Sequence, residues 1–166
     1  QIISIVSALA PSFGGINLED IAAPACFLIE EALQNLGIPV FHDDQWGTAI
    51  VVLGALKNAA RVVGKDMESL KVVMAGAGAA ESAIAKLLAQ VGVANVLLLD
   101  TKGAIGLHRA DLTSVKQAIA MVTNPEGLRG SIAEVLPGAD VFIGVSAANT
   151  VTAEMVRSMA PDPIVL

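Results

Sequence analysis

The sequence predicts an α/β fold, a doubly wound parallel sheet with an N-terminal helical segment. Three observations carry this prediction. Apolar, strand-like runs alternate with segments of helical periodicity over residues 65–166. A glycine turn, Gly76-Ala77-Gly78, leads from one strand into the next helix, and Asp100 ends the following apolar run. Alternation of this kind is typical of a parallel sheet with helices on both faces.

The first 64 residues are predicted to be mainly helical. Pro24 opens a helix and Gly37 ends it, which are the helix ends that proline and glycine prefer. Gly64 ends a longer helix in the same way. The predicted elements of this segment are helices over 2–9, 24–36 and 47–63 and a short strand over 40–42.

Residues 65–166 are predicted to form a Rossmann-like domain, so we place a domain boundary after residue 64. Ser131 and Glu134 have the spacing of a capping box at the start of a short helix. The other predicted elements are strands over 71–75, 95–100, 140–145 and 163–166 and helices over 79–90, 114–122 and 152–160. Because a buried parallel strand normally continues into a covering helix, we expect this sequence to be part of a larger fold.

The composition indicates a soluble, cytoplasmic α/β domain. A net charge of −6 without a Lys or Arg cluster argues against nucleic-acid binding. A single cysteine, Cys26, excludes an internal disulfide and fits a reducing compartment. No apolar run approaches the ~18 residues of a membrane helix. Since 54% of the residues are hydrophobic and only 16% are charged, we expect more protein to cover part of the surface, as in a homo-oligomer.

The glycine turn and Asp100 together predict a dinucleotide site. A pyrophosphate needs backbone N–H donors at a helix N-terminus, and glycine at 76 and 78 lets the backbone approach it. A carboxylate at the end of the second strand binds both hydroxyls of the adenosine ribose. Because Asp100 would repel a 2′-phosphate, the sequence favours NAD over NADP. Glu81 departs from the pattern, which has a small residue there for close packing of helix on strand.

Two acidic loop segments, Glu19-Asp20 and Asp43-Asp44, are candidates for a metal site. Carboxylate oxygens suit hard divalent cations such as Mg²⁺ or Mn²⁺. The alternative is that Asp43 and Asp44 cap the following helix and that Glu19 and Asp20 form a solvated turn. Both interpretations stay open on the sequence alone.

Ser146 and Asn149 follow the third strand of the predicted domain. Ligands of a doubly wound sheet lie outside the carboxyl ends of its strands, so these side chains are candidates to face the ribose or nicotinamide. Ordinary turn chemistry explains the same residues equally well.

Taken together, these sequence segments resemble those of the malic enzymes, chiefly the compact bacterial type. The resemblance extends over essentially all 166 residues, and Asp-Asp-Gln-x-Gly-Thr-Ala from residue 43 is its most specific string. The segments that carry it are 10–21, 38–49, 76–80, 100–105 and 140–147.

The resemblance implies oxidation of malate by hydride transfer to NAD, followed by decarboxylation to pyruvate and CO₂. It implies that Glu19, Asp20 and Asp44 are the metal ligands and that Asp43 is the catalytic acidic position beside them. The residues that match the family's dinucleotide site are Gly76, Gly78, Ala79, Ala80 and Asp100.

Several residues depart from the family's pattern: Ala25 stands in place of Arg, Trp46 in place of His and Glu81 in place of Gly. The family's catalytic tyrosine and lysine would precede residue 1, so we expect the 166 residues alone to be inactive. Two alternatives stay open. One is a metal-independent Rossmann dehydrogenase, and the other is a non-catalytic nucleotide-binding or assembly module.

Overall fold

The N-terminal part combines three helices with a small parallel sheet, in a computed structural model that describes residues 1–166. Its elements are α1 (Ile2–Leu9), β1 (Ile16–Leu18), α2 (Ala25–Leu33), β2 (Val40–His42) and α3 (Thr48–Val63). A π-helical turn, Asp43–Gly47, joins β2 to α3. The predicted helices and the strand over 40–42 are confirmed, with α2 ending at Leu33 instead of Leu36. The sequence did not predict β1.

The remaining residues form five strands and four helices. In chain order they are β3 (Lys71–Ala75), α4 (Ala79–Gln90), β4 (Asn95–Asp100), β5 (Gly103–Ala104), α5 (Ser114–Ala120), α6 (Ile132–Val135), β6 (Val141–Gly144), α7 (Ala153–Arg157) and β7 (Ile164–Val165). The capping box is present, because the Ser131 N–H donates to the Glu134 carboxylate at 2.7 Å. Each predicted element is confirmed to within a few residues at its ends.

The five strands form one sheet in the order β5-β4-β3-β6-β7, parallel throughout except for β5. Strand β4 pairs with one edge of β3, and β6, which comes later in the chain, pairs with the other edge. The strand order therefore reverses beside β3, which is the defining feature of a doubly wound sheet. The predicted fold class is confirmed.

Alternate residues of the strands point to opposite faces, and each face has its own core. On one face, Met74, Leu98 and Ile143 are fully buried against α3, α4 and α5. On the other face, Val73, Leu97 and Phe142 pack with residues of α6 and α7. Helices thus cover both faces of the sheet, as the alternation of strands and helices predicted.

Helix α3 and the π-helical turn before it form one continuous helical stretch, Asp43–Val63. With 21 residues and a mean hydropathy of 1.2 it is long and apolar enough to cross a membrane by length and composition alone. A core helix passes the same test. Every third or fourth residue of α3 is buried in the main core, namely Ala49, Val52, Leu56 and Ala60. The boundary after residue 64 stays a prediction, and α3 on its N-terminal side belongs to the core of the five-stranded sheet.

Candidate functional site

A cavity of about 650 Å³ opens at the carboxyl ends of β3, β4 and β6. The strand order reverses at this edge, which is where doubly wound sheets bind their ligands. The volume is in the range of small-molecule sites. The residues from these three strand ends that line it are Ala75, Gly76, Ala77, Leu99, Asp100, Thr101, Ser146, Ala147 and Thr150.

Gly76 and Ala77 of the glycine turn line this cavity, whereas Gly78 and the first residues of α4, Ala79 and Ala80, are not among its lining residues. Gly76 has a φ of +120°, a conformation that residues with a side chain rarely adopt. Its N–H donates to the Leu99 carbonyl at 2.8 Å, which ties the turn to β4. The N–H groups of Ala79 and Ala80 make no hydrogen bond within the chain. They are the free donors that a helix N-terminus offers to an anion.

Asp100 lies at the end of β4 with its side chain only 9% exposed. Its Oδ1 accepts hydrogen bonds from Arg109 Nη1 at 2.7 Å and from the Lys102 N–H at 2.9 Å. Its Oδ2 accepts one from Lys116 Nζ. Burial opposes ionisation, but the bonds from Arg109 and Lys116 outweigh it and lower the pKa of Asp100 to about 2. Asp100, the carboxylate predicted to bind the adenosine ribose, is therefore ionised and already paired with two cations.

The cations around Asp100 continue into a surface network. Arg109 Nη2 lies 2.9 Å from Asp111 Oδ2, and Lys102 Nζ lies 2.8 Å from the same oxygen. Lys116 also lines the cavity. Asp100 was predicted from the sequence, but Arg109 and Lys116 were not. They follow it by nine and sixteen residues and reach it only through the path of the loop before α5.

The Asp100 network predicts a specific loss of stability in acid. A carboxylate whose pKa is about 2 in the folded chain and ~3.9 in the unfolded chain contributes its full stabilisation only above about pH 5. That stabilisation, about 2–3 kcal/mol, is lost as the pH falls through the folded pKa. We expect Asp100→Asn to lower the free energy of unfolding by this order at pH 7. In urea titrations the gap between the two proteins should narrow progressively from about pH 5 and close at about pH 1, and a gap independent of pH would contradict the assignment.

The loop after β6 brings only one of its two predicted residues to the cavity. Ser146 lines it, and its Oγ donates to the Ala75 carbonyl at 3.1 Å. This bond joins the ends of β6 and β3 at the mouth of the site. Asn149 is exposed, has a φ of +57° and is not among the lining residues. Its geometry is that of a turn residue, since asparagine tolerates the left-handed conformation.

The two acidic segments follow adjacent strands of the small sheet, β1 and β2. Strands β1 and β2 pair in parallel with Leu18 opposite His42, so the residues that follow each strand are neighbours. The Asp20 N–H donates to Asp44 Oδ2 at 3.0 Å. No side chain caps α3, which contrasts with the alternative that Asp43 and Asp44 act as helix caps. Two loops distant in sequence therefore converge, as a shared site requires.

The structure does not assemble the complete predicted ligand set. Glu19 and Asp20 are exposed, and no three His, Cys, Asp or Glu side chains are arranged to hold one metal ion. The Asp43 carboxylate packs against Gly47, where a Cβ would lie 2.1 Å from its Oδ1. His42 is fully buried with both ring nitrogens unpartnered, and its Nδ1 lies 3.9 Å from Asp44 Oδ2. The donor chemistry fits a hard cation, but the contact that joins the two segments is between the Asp20 backbone N–H and the Asp44 carboxylate.

A family model and individual proteins of known sequence point to the same family for this chain. Residues 46–166 match the family described as malic enzyme, NAD binding domain. The chain is 52% identical over 166 residues to the NAD-dependent malic enzyme of Geobacillus stearothermophilus, covering 99% of this chain and 35% of that protein. It is 45% identical over 170 residues to an NADP-dependent malic enzyme of Haemophilus influenzae, covering 100% of this chain and 22% of that protein.

A solved structure agrees with the fold. The crystal structure of the NAD-dependent malic enzyme of Thermotoga maritima superposes with a TM-score of 0.95 at 48% identity, over 99% of this chain and 44% of that one. The chain thus spans between about a fifth and just under half of the length of these proteins. With a family match over most of its residues and a fold of the same topology, this chain belongs to the malic enzyme family and contains the family's NAD-binding domain.

Proposed function

We propose that this chain is the nucleotide- and metal-binding core of an NAD-dependent malic enzyme. The parent enzyme would oxidise malate by hydride transfer to NAD and decarboxylate the product to pyruvate and CO₂. The observation that carries the proposal is the cavity at the ends of β3, β4 and β6, where the glycine turn and Asp100 form one wall in a chain of this family.

We assign each part of the dinucleotide a partner in this cavity or at the N-terminus of α4, which follows the lining residues Gly76 and Ala77 in the chain. The pyrophosphate would accept hydrogen bonds from the free N–H groups of Ala79 and Ala80, aligned with the positive end of the α4 dipole. The hydroxyls of the adenosine ribose would donate hydrogen bonds to the carboxylate of Asp100, which stays ionised at neutral pH. The loop after β6 would bound the nicotinamide end, with Ser146 at its edge. Asn149 would have to turn inward to take part.

NAD is the proposed cofactor, and the cations around Asp100 limit how strict that choice is. The Asp100 carboxylate repels a 2′-phosphate, but Arg109 and Lys116 neutralise much of its charge. Lys116 faces the cavity and could approach a phosphate directly. The relatives include both NAD- and NADP-dependent enzymes. We therefore propose a modest preference for NAD.

We further propose that Glu19, Asp20 and Asp44 hold Mg²⁺ or Mn²⁺, with Asp43 beside them as an acidic catalytic group. When bound, a divalent cation would supply Lewis-acid polarisation of the substrate oxygens. In the chain itself, the Asp20 N–H fixes one oxygen of Asp44 and leaves the other available. Gly47 leaves the space that the Asp43 carboxylate occupies.

Exposed apolar residues support a homo-oligomer. Ile5 and Leu9 of α1 and Ile50, Val51 and Val62 of α3 are all exposed. Covering such surface is favourable by about 25 cal/mol per Å². We propose that copies of the parent enzyme associate through these helices in the reducing cytoplasm. Sedimentation of the full-length parent should show a dimer or larger, and a monomer would contradict this.

A non-catalytic nucleotide-binding module is the second candidate, because the predicted ligand set is not assembled. Calorimetry separates the possibilities. Binding of NAD together with Mn²⁺ supports the malic enzyme core, and binding of NAD alone supports either the module or a metal-independent dehydrogenase. Absence of both would contradict the proposed function.

Trp46 reports on the metal site, because it is the only tryptophan and follows Asp44 by two residues. It is partly buried against the main core. With consecutive Cα atoms ~3.8 Å apart, an ion on Asp44 lies within roughly 10 Å of the indole. We expect Mn²⁺ to quench the tryptophan emission in a saturable way that Mg²⁺ reverses by competition. Asp44→Ala should abolish the quenching.

Asp66→Ala is the matched control, because Asp66 is an acid outside the acidic loops, before the turn that leads to β3. This variant should quench as the unmodified chain does. Titration should continue to millimolar Mn²⁺. Quenching that is absent at that concentration, or that persists in folded Asp44→Ala, would remove the metal assignment.

A further inference from the structure

The carboxylate of Glu81 folds back into the glycine turn. Its Oε2 accepts a hydrogen bond from the Gly78 N–H at 3.0 Å. Its Oε1 lies so close to Gly76 that a Cβ at that position would be 2.1 Å away. Glu81 is the third residue of α4, so this is the reach-back bond of a capping box. The carboxylate bridges the two glycines that define the turn.

This carboxylate is buried and has no cationic partner. Glu81 is only 4% exposed, and none of the ion pairs of the chain includes it. The partial positive charge of the α4 N-terminus and the Gly78 N–H are what stabilise it. A helix N-terminus that faces a glycine turn is an anion-binding site, and here an anion of the chain itself is bound to it.

A dinucleotide would compete with Glu81 for this turn. The Gly78 N–H is one of the donors that a glycine turn offers to a pyrophosphate, and Glu81 already uses it. A pyrophosphate seated on the N–H groups of Ala79 and Ala80 would also lie next to the Glu81 charge. Like charges brought together at a binding site oppose binding. We propose that Glu81 is an internal anion that determines the dinucleotide affinity of this chain by occupying its phosphate-binding turn.

The inference rests on the proposed nucleotide site and predicts the direction of a specific change. We expect Glu81→Ala to bind NAD at least tenfold more tightly than the unmodified chain, measured by calorimetry. Glu81→Gln removes the charge but keeps the shape, so its affinity should lie between the two. Adenosine carries no phosphate, and its affinity should be the same in all three proteins. The urea midpoint of Glu81→Ala should fall, because the helix loses a cap.

Opposite changes in affinity and stability distinguish this role from a structural one. Glu154→Gln is the matched control, since Glu154 lies in the first turn of another helix and is exposed. It should leave NAD binding unchanged. NAD affinity that is unchanged or weaker in both Glu81 variants would overturn the inference, as would an equal gain for adenosine. If neither NAD nor adenosine binds to any of the proteins, the inference and the proposed nucleotide site both fail. If adenosine binds equally and NAD does not improve, only the inference fails.

Discussion

Asp100→Asn is expected to shift the ratio of NADP to NAD affinity at least tenfold toward NADP. The change removes the charge that would face a 2′-phosphate, and it leaves Lys116 without its carboxylate partner and Arg109 paired only with Asp111. Close like-charge pairs at binding sites cost several kcal/mol, of which the two cations screen a part. A tenfold shift corresponds to about 1.4 kcal/mol. Calorimetric titration of both dinucleotides measures it.

Asp111→Asn is the control for this experiment. Asp111 shares Arg109 and Lys102 with the Asp100 network but lies outside the cavity lining. The variant keeps the Asp100 carboxylate, so the preference for NAD should remain. If Asp100→Asn leaves the ratio unchanged, Asp100 does not face the ribose and the proposed orientation of the dinucleotide is wrong.

Gly103→Ala is expected to destabilise the fold by about 3 kcal/mol. Gly103 has a φ of +104°, and a Cβ there would lie 2.5 Å from the Gly130 carbonyl oxygen. The same oxygen accepts a hydrogen bond from the Ala104 N–H at 2.9 Å. Because the Cβ would meet a backbone oxygen and not a flexible side chain, relief requires β5 to move away from residue 130. Gly103 also lines the cavity, so nucleotide binding should weaken with stability.

Gly127→Ala separates the clash from the backbone strain. Gly127 has a φ of +65°, and a Cβ at that position would meet nothing within 4 Å. We expect a cost of about 1–2 kcal/mol from the left-handed conformation alone. Urea denaturation of the two variants provides the comparison. Equal losses in the two variants would show that the approach of residues 103 and 130 does not constrain the fold.

The sheet could be predicted from the sequence because its signals are local. The apolar runs at 71–75 and 95–100 and the glycines between them specify strands and a turn without reference to the rest of the chain. The strand β1 could not be predicted in the same way. Ile16–Leu18 is three residues long, and its pairing with β2 depends on residues more than twenty positions away.

The sequence predicted those residues of the candidate site whose role depends only on their position at the end of a strand or the start of a helix. Asp100 and the glycine turn follow from the fold. The partners of Asp100 do not, because Arg109 and Lys116 reach it through loop geometry that leaves no periodic signal. Glu81 was visible as a departure from the glycine pattern. That its carboxylate turns back onto Gly78 depends on a rotamer, which a sequence pattern does not specify.

The small sheet of β1 and β2 has a consequence for the order in which the site forms. A two-stranded sheet is marginally stable by itself, and this one has three buried apolar residues beneath it, Leu18, Leu33 and Val40. The five-stranded sheet rests on far larger cores. Local opening should therefore be more frequent around the acidic loops than at the glycine turn, and amide hydrogen exchange should be faster in β1 than in β3. The proposed nucleotide site therefore lies on the more stable sheet, whereas part of the binding energy of a cation at Asp20 and Asp44 would go into ordering the loops that receive it.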